Sequence, residues 1–266
     1  PGPWVWWEPF VGSGAAFFHM SEQGRVKEAF LSDVSPVLMA FHRAARNHRK
    51  ELLEELATLR WGPDYRTFYA AFRHGHNTAP SRETVYSAAR FVWLNRACFN
   101  GLFRENAKGE FNVPVGDYAT LVCPSSDRIE AAALHLALAH LWTSSWDRMV
   151  VHDKSSDATF PVPGDCVYLD PPFVPLSATS SFTTYAKGGF SMADQQALAE
   201  AAGAMSRRGV HVVASNHDTP WVREAWGAQG FCFEEVSVRR SISQKAATRG
   251  NVGELLLYPA GSTHGA

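Results

Sequence analysis

The 266-residue chain has little cysteine. Cys98, Cys123, Cys166 and Cys232 stand far apart, with no C-x-x-C pair and no Cys/His cluster at zinc spacing. A disulfide framework and a structural zinc are therefore excluded as organising features, no metal is expected, and four free thiols in a reducing compartment are. No window reaches the roughly 18 consecutive apolar residues of a membrane span, and no basic region leads the front, so neither an anchor nor a signal peptide is read and a cytoplasmic location is expected. An excess of either charge is also lacking. With 25 Lys+Arg against 26 Asp+Glu the net charge is -1, which by itself points to no nucleic acid, membrane or acidic ligand. What is present is globular: 45% apolar, 12% aromatic and 19% charged residues, without repeats or low-complexity stretches. At about 150 residues per domain, this is one large domain or two modest ones. The chain begins at Pro1 and enters Trp4-Val5-Trp6-Trp7 at once, so a further segment upstream is expected.

The pattern predicts an α/β fold. Trp4 to Trp7 reads as a strand, Glu8-Pro9-Phe10-Val11-Gly12-Ser13-Gly14 as a Gly-rich turn, and the Ala/Phe run after it as a helix. Val26 to Leu31 reads as a second strand ending at Asp33. Helical spacing of Val37, Leu38, Phe41, Leu52, Leu53, Leu56 and Leu59 predicts one helix from Pro36 to about Arg60. Residues 61–122 change character, with many aromatics, Arg and Asn, and read as an inserted, mainly helical subdomain with a loop or hairpin near 99–118. Ala131 to Trp142 then reads as helix, Arg148 to Val151 as strand, and Asp165 to Leu169 as a buried strand. Ser191 with Asp194 starts a helix that Gly209 ends before a strand over Val210 to Ala214. Thr219-Pro220 opens a last helix, and Phe231 to Val238 and Val252 to Tyr258 close the fold as strands.

Two constellations carry chemistry. In the first, Phe10-x-Gly12-x-Gly14 follows a strand and Asp33 lies 19 residues beyond Gly14. Glycines admit close backbone approach, and an acid about 20 residues on can accept from two ribose hydroxyls, so the pair describes a nucleoside-bearing cofactor. No third glycine at the dinucleotide spacing and no Lys-Ser/Thr follow, which disfavours pyrophosphate and triphosphate; taken alone, the loop also fits an ordinary tight turn. The second is Asp170-Pro171-Pro172-Phe173, directly after a strand. Two prolines stiffen the turn and lack N–H donors. An Asp carboxylate and a Pro carbonyl together can accept both hydrogens of an exocyclic amino group, and Phe173 offers a ring for a planar base. A bare D-P-P also fits a rigid loop with a capping Asp. The Gly-rich loop upstream weighs against that.

Beyond these motifs, the chain resembles the Dam-type DNA adenine N6-methyltransferases, in the α motif order. Segments carrying the resemblance are Glu8 to Gly14, Trp93-Leu94-Asn95-Arg96, Asn100-Gly101-Leu102-x-Arg104, Gly109-Glu110-Phe111-Asn112-Val113-Pro114, Asp170 to Phe173, Pro175 to Thr179, Ser215 to Thr219 and Val238 to Ser243. The resemblance implies a Rossmann-like methyltransferase sheet split by a DNA-recognition subdomain: residues 1–60 and 123–266 form the cofactor-binding and catalytic parts, and 61–122 the insertion with its hairpin. It implies S-adenosylmethionine as cofactor and double-stranded DNA as partner. Glu8, Pro9, Phe10, Gly12, Gly14 and Asp33 would serve the cofactor, with Asp33 on the ribose. Asp170, Pro171, Pro172 and Phe173 would grip a flipped adenine. Asn95, Arg96, Phe99, Asn100, Leu102, Arg104, Asn112 and Pro114 would serve DNA, reading a palindrome such as GATC; a guanidinium at Arg104 suits guanine.

Three departures from the family pattern matter. A Lys- and Gly-containing segment would precede the first strand; Phe173 replaces the usual Tyr; and Asp117 stands where a basic residue would suit a DNA-facing hairpin. Local charge adds to the DNA expectation: between Ser237 and Gly250, Arg239, Arg240, Lys245 and Arg249 are unaccompanied by any acid, although a solvated loop reads the same way. The histidines form no ligand or triad pattern, and none is expected to be catalytic. Direct methyl transfer needs neither metal nor cysteine nucleophile. The alternatives are a DNA-binding module without turnover, for want of the front segment, and transfer to cytosine N4. The sequence leaves the oligomeric state open, and a monomer is compatible with it.

Overall fold

A computed structural model describes residues 2–106, 108–151, 159–176, 189–239 and 251–261. Its centre is a seven-stranded mixed sheet made of β1 (Trp4–Glu8), β2 (Val26–Asp33), β3 (Ala139–Thr143), β4 (Cys166–Leu169), β5 (His211–His217), β6 (Phe231–Arg239) and β7 (Asn251–Pro259). The order is β3-β2-β1-β4-β5-β7-β6. The first five strands run parallel, and β7 is inserted antiparallel between β5 and β6.

Both sheet faces are covered, which explains why the inner strands read as nearly continuous apolar runs. Successive side chains serve opposite layers. Trp7, Phe30, Val167 and Leu169 pack with Leu198, Ala202 and Trp226 on one face, whereas Trp6, Ala29 and Leu31 pack with Met39, Leu52 and Leu136 on the other. The first layer draws on α8 (Met192–Arg207) and α9 (Pro220–Gly227). The second draws on α1 (Ala15–Glu22), α2 (Pro36–Asn47), α3 (Arg49–Thr58) and α6 (Ser126–Leu136). Predicted caps form as expected. Ser191 Oγ accepts from the Asp194 N–H at 3.1 Å, the Asp194 carboxylate accepts from the Ser191 N–H at 2.8 Å, and Thr219 Oγ1 accepts from the Val222 N–H at 3.2 Å.

Three local expectations are corrected. The single helix expected over Pro36–Arg60 is two, because His48 adopts φ -131° and ψ 37° between α2 and α3, letting Leu52 and Leu56 turn into the same layer as Met39. The helix expected over Ala131–Trp142 ends at Leu136, and Ala139–Thr143 forms edge strand β3 against β2. Its alternation decides the matter, since Ala139 and Leu141 are buried while His140 and Trp142 are exposed. The strand expected at Arg148–Val151 is instead the one-turn helix α7 (Asp147–Val150), whose consecutive Met149 and Val150 are both buried.

Residues 61–122 contain α4 (Tyr65–Asn77), α5 (Val85–Ala97) and a 3-10 turn at Phe99–Gly101. A third apolar cluster forms here from Tyr65, Tyr69, Trp93, Leu94, Phe111 and Val113. Helix α5 also reaches the second layer through Ala88 and Ala89. The hairpin is a short ladder, with Phe99 N–H to Pro114 O at 2.8 Å, Asn112 N–H to Arg104 O at 3.1 Å and Asn106 N–H to Glu110 O at 2.9 Å.

His76 of α4 is 1% exposed, lies edge-on to Phe111, and has no hydrogen-bond partner on either ring nitrogen among the described residues. Burial, reinforced by Arg82 and Arg90, pushes its pKa down to about 4. The unfolded chain takes up this proton near pH 6.5 and the folded chain only near 4, so the stability is complete above about 6.5 and is lost as pH falls toward 4. Between pH 7 and 5 the linkage amounts to about 2 kcal/mol. Urea unfolding at these two pH values should show that loss for the parent chain and a flatter response for His76→Leu; equal slopes would contradict it.

Candidate active site

The strand order reverses between β1 and β4, which are adjacent and parallel with Trp6 opposite Cys166 and Trp7 opposite Val167. Connections leaving their carboxyl ends diverge, and a crevice opens there. Into it converge Glu8 at the end of β1, the Gly-rich loop, Asp33 at the end of β2 and the Asp170–Phe173 turn after β4. The two constellations, about 160 residues apart in the chain, thus meet at one sheet edge.

The Gly-rich loop is held by backbone and side-chain bonds. Gly12 and Gly14 have φ of 48° and 78°, a left-handed backbone that disfavours other residues. Val11 N–H donates to Ser32 O at 2.9 Å, Gly12 N–H to Asp33 Oδ2 at 3.1 Å and Gly14 N–H to Val11 O at 2.6 Å. A Cβ at Gly12 would meet nothing within 4 Å, so the space beside Gly12 is open, whereas one at Gly14 would lie 2.9 Å from the Phe18 ring. Asp33 Oδ1 accepts from the Ser35 N–H at 2.8 Å, and with the Gly12 and Val34 N–H groups also on the carboxylate, one lone pair remains for a further donor. Phe10 is half-buried, with its ring 6.5 Å from Trp146 and edge-on to Phe190. Pro9 is buried, and its carbonyl accepts from Ser32 Oγ.

The Asp170–Phe173 turn is clamped from two elements. Gln195 Nε2, on α8, donates to Pro172 O at 2.6 Å. Asn216, fully buried at the end of β5, accepts from the Val174 N–H at 2.9 Å and donates to Gln195 Oε1 at 3.2 Å. His217 Nδ1 donates to Val174 O at 2.7 Å, and its ring stands edge-on to Phe173 at 4.9 Å. Ser215 Oγ donates to Asp170 Oδ1 at 2.5 Å. Ser215 to His217 were picked out as a segment by resemblance, but Gln195 was missed: one place past Asp194, it looks like any polar residue in the first turn of a helix.

The protein raises the pKa of three carboxyls at the crevice. Glu8 is 2% exposed, and burial pushes its pKa up to about 8; bonds from the Trp6 indole and the Phe17 N–H oppose this, and the charge of Asp170 adds to it. Asp170 is exposed at its surface, yet the protein packed around it raises its pKa, with Ser215 opposing and Glu254 adding to the rise. Asp33 is likewise raised by burial against three backbone N–H groups.

On the hairpin, Asn112 aims Arg104, accepting from Nε at 2.7 Å through Oδ1 and from Nη2 at 3.2 Å through its carbonyl. Asn95 and Arg96 brace the chain, donating to Gly101 O at 2.7 Å and Val122 O at 3.0 Å. Both line a concavity of about 510 Å³ with exposed Asn100, away from the strand ends. Phe99 and Leu102 are half-buried, Pro114 is exposed, and Asp117 pairs with Arg66. Arg239 closes β6, whereas Arg240, Lys245 and Arg249 lie outside the described residues. Among the described residues, no group of three or more His, Cys, Asp or Glu is placed to hold a metal ion, and no helix is long and apolar enough to cross a membrane.

Residues 4–242 match the D12 class N6 adenine-specific DNA methyltransferases. The chain belongs to this family. It is 34% identical to the DNA adenine methylase of Escherichia coli (strain K12), covering 96% of this chain and 86% of that protein. It is 33% identical to the DNA adenine methylase of Vibrio cholerae, over 94% of this chain and 84% of that one, and 30% identical to the Type II methyltransferase M1.LlaDCHI of Lactococcus lactis, over 96% and 86%. The seven-stranded sheet with helices on both faces agrees with the Rossmann-like fold expected of the family. The chain is thus an adenine-specific DNA methyltransferase, with DNA as its substrate class.

Glu8 yields a prediction in the ligand-free protein. Its folded pKa of about 8 lies above the unfolded value, so the stability it contributes is present below about 4.5 and is lost as pH rises through 8. Glu8→Gln should remove this dependence and be more stable than the parent at pH 8 by on the order of 1–3 kcal/mol, read by urea unfolding at pH 5.5 and 8. A parent-like pH response in the variant would contradict the buried, protonated state.

Proposed function

We propose that this chain transfers a methyl group from S-adenosylmethionine to the N6 amino group of an adenine turned out of duplex DNA, within a short palindrome such as GATC. The observation that carries the reading is the clamped Asp170–Phe173 turn facing the open Gly-rich loop across the β1/β4 switch. Asp170 and the Pro171 carbonyl accept the two amino hydrogens, which leaves the nitrogen lone pair directed away from the turn, and Phe173 stacks on the base. Pro172, fixed through its carbonyl by Gln195, keeps that geometry rigid, and most of the rate gain comes from positioning.

The loop fits a nucleoside cofactor. Gly12 permits close approach, Asp33 keeps a lone pair for a ribose hydroxyl, Glu8 and Pro9 form the buried base of the loop, and Phe10 stands at its edge. When bound, S-adenosylmethionine supplies a methyl group on a sulfonium, the electrophile such a nitrogen accepts.

DNA contact is assigned to the 61–122 insertion between the catalytic parts, 1–60 and 123–266. Phe99, Asn100 and Leu102 stand beside the displaced base, Arg104 reads guanine, and Asn95, Arg96, Asn112 and Pro114 support them. Arg239, with Arg240, Lys245 and Arg249, supplies phosphate contacts. The reaction takes place in the cytoplasm.

Asp170→Ala should reduce DNA methylation by at least about 10²-fold while S-adenosylmethionine affinity, measured by calorimetry, stays within a few-fold of the parent. Near-parent methylation by the variant would overturn the assignment. If the parent binds DNA without methylating it, the reading without turnover stands instead. Arg104→Ala should weaken discrimination at one guanine by about 1–3 kcal/mol, seen as methylation spreading to sites altered there; plasmid digestion with restriction enzymes of differing sensitivity at GATC measures both site and spread.

A further inference from the structure

We infer that His42 is a positioning residue for the Gly12–Gly14 loop, its Nε2–H holding the Gly12 carbonyl so that the loop keeps the form in which it receives the cofactor. The inference rests on the proposal that this loop binds S-adenosylmethionine. No sequence pattern singled out this histidine, and none of the residues assigned above performs this task.

His42 lies in α2 and is 1% exposed, with Nε2 2.9 Å from Gly12 O. A carbonyl only accepts, so Nε2 carries the hydrogen and the ring is the Nε2–H tautomer. On the other side of the same residue, Gly12 N–H is bonded to Asp33 Oδ2 at 3.1 Å. The two peptide planes that meet at Gly12 are therefore each held, one by the end of β2 and one by α2. Peptides are planar, so fixing both planes fixes the φ and ψ between them. Glycine is where such outside restraint matters most, because it has the greatest backbone freedom to lose. Beneath Gly14 the Phe18 ring is nearest, 2.9 Å from where a Cβ would stand, and the imidazole lies just behind it at 3.5 Å.

A purely space-filling role does not account for a histidine here. Among the described residues Nδ1 is buried without a partner, a cost that phenylalanine or leucine would avoid. What histidine adds is the donor to Gly12. Helix α2 presents it from a fixed base: the adjacent Arg43 donates to Thr143 Oγ1 at 3.0 Å and to Glu83 Oε1 at 3.2 Å, tying α2 to the end of β3 and to the chain entering α5.

The test uses His42→Phe, which keeps the ring volume without the donor, His42→Asn, whose amide is too short to reach Gly12 O, and His42→Gln, whose amide nitrogen takes the place of Nε2. In the ligand-free protein, hydrogen exchange of the peptide spanning Gly12–Gly14 should speed up about tenfold in the Phe and Asn variants and return to within threefold of the parent in the Gln variant. S-adenosylmethionine affinity should follow the same order, with DNA affinity unchanged within twofold. Parent-like exchange in Phe or Asn, or Gln as impaired as the other two at a parent-like melting temperature, would overturn the inference. If the parent itself does not bind S-adenosylmethionine, the reading of the loop's ligand fails, while the exchange measurement still decides the role of His42.

Discussion

Strand β1 is the pivot of this molecule, since the chain lays β2 and β3 on one side of it and β4 and β5 on the other. That reversal makes the carboxyl ends of β1 and β4 diverge into a crevice. Two tryptophans hold the pivot in place. Trp6 enters one apolar layer and donates its indole N–H to Glu8 at 2.8 Å; Trp7 enters the opposite layer and donates to Asp165, just before β4, at 2.9 Å. The strand is locked to both layers and to its neighbour, and the Gly-rich loop leaves from its end. Glu8 and the start of the Gly-rich loop take their positions from this arrangement.

Three carboxyls meet there. Burial raises the pKa of Glu8 and Asp33, and the protein packed around the exposed Asp170 raises its own; among the described residues the groups acting on them are backbone N–H, indole, hydroxyl and further carboxyls, with no lysine or arginine. Carboxyl oxygens with lone pairs to spare are complementary to a ligand that brings hydrogen-bond donors. The ribose hydroxyls of the proposed cofactor and the amino group of the proposed base are such donors. The Asp170 turn is held mainly by neutral amides, from Gln195 and Asn216, so its form does not depend on the charge state of the acids beside it.

Much of this was legible in the chain. Short apolar runs and turn residues located β1, β2, β4, β5, β6 and β7, and the Ser191/Asp194 and Thr219-Pro220 signals marked the starts of α8 and α9. The stretch from Ala131 to Val151 misled because an Ala/Leu-rich sequence satisfies helix and buried strand alike; pairing of Ala139 and Leu141 with β2, a tertiary fact, decides it. The break at His48 is likewise set by packing. In the site, motif residues that face the crevice could be named, whereas those acting from behind could not. Gln195 and His42 bond to backbone carbonyls 23 and 30 residues away, and such bonds leave no local pattern. Asp117, a departure from the family pattern, proves to have a partner in Arg66.

The central claim is that the amino group of adenine is the methyl acceptor at this crevice. Duplex DNA treated with the protein and S-adenosylmethionine carrying an isotopically labelled methyl, then digested to nucleosides for mass spectrometry, tests it most directly. The account predicts the label in N6-methyladenine alone. Label in N4-methylcytosine, or unlabelled DNA from a protein that binds the cofactor and the duplex, would contradict it.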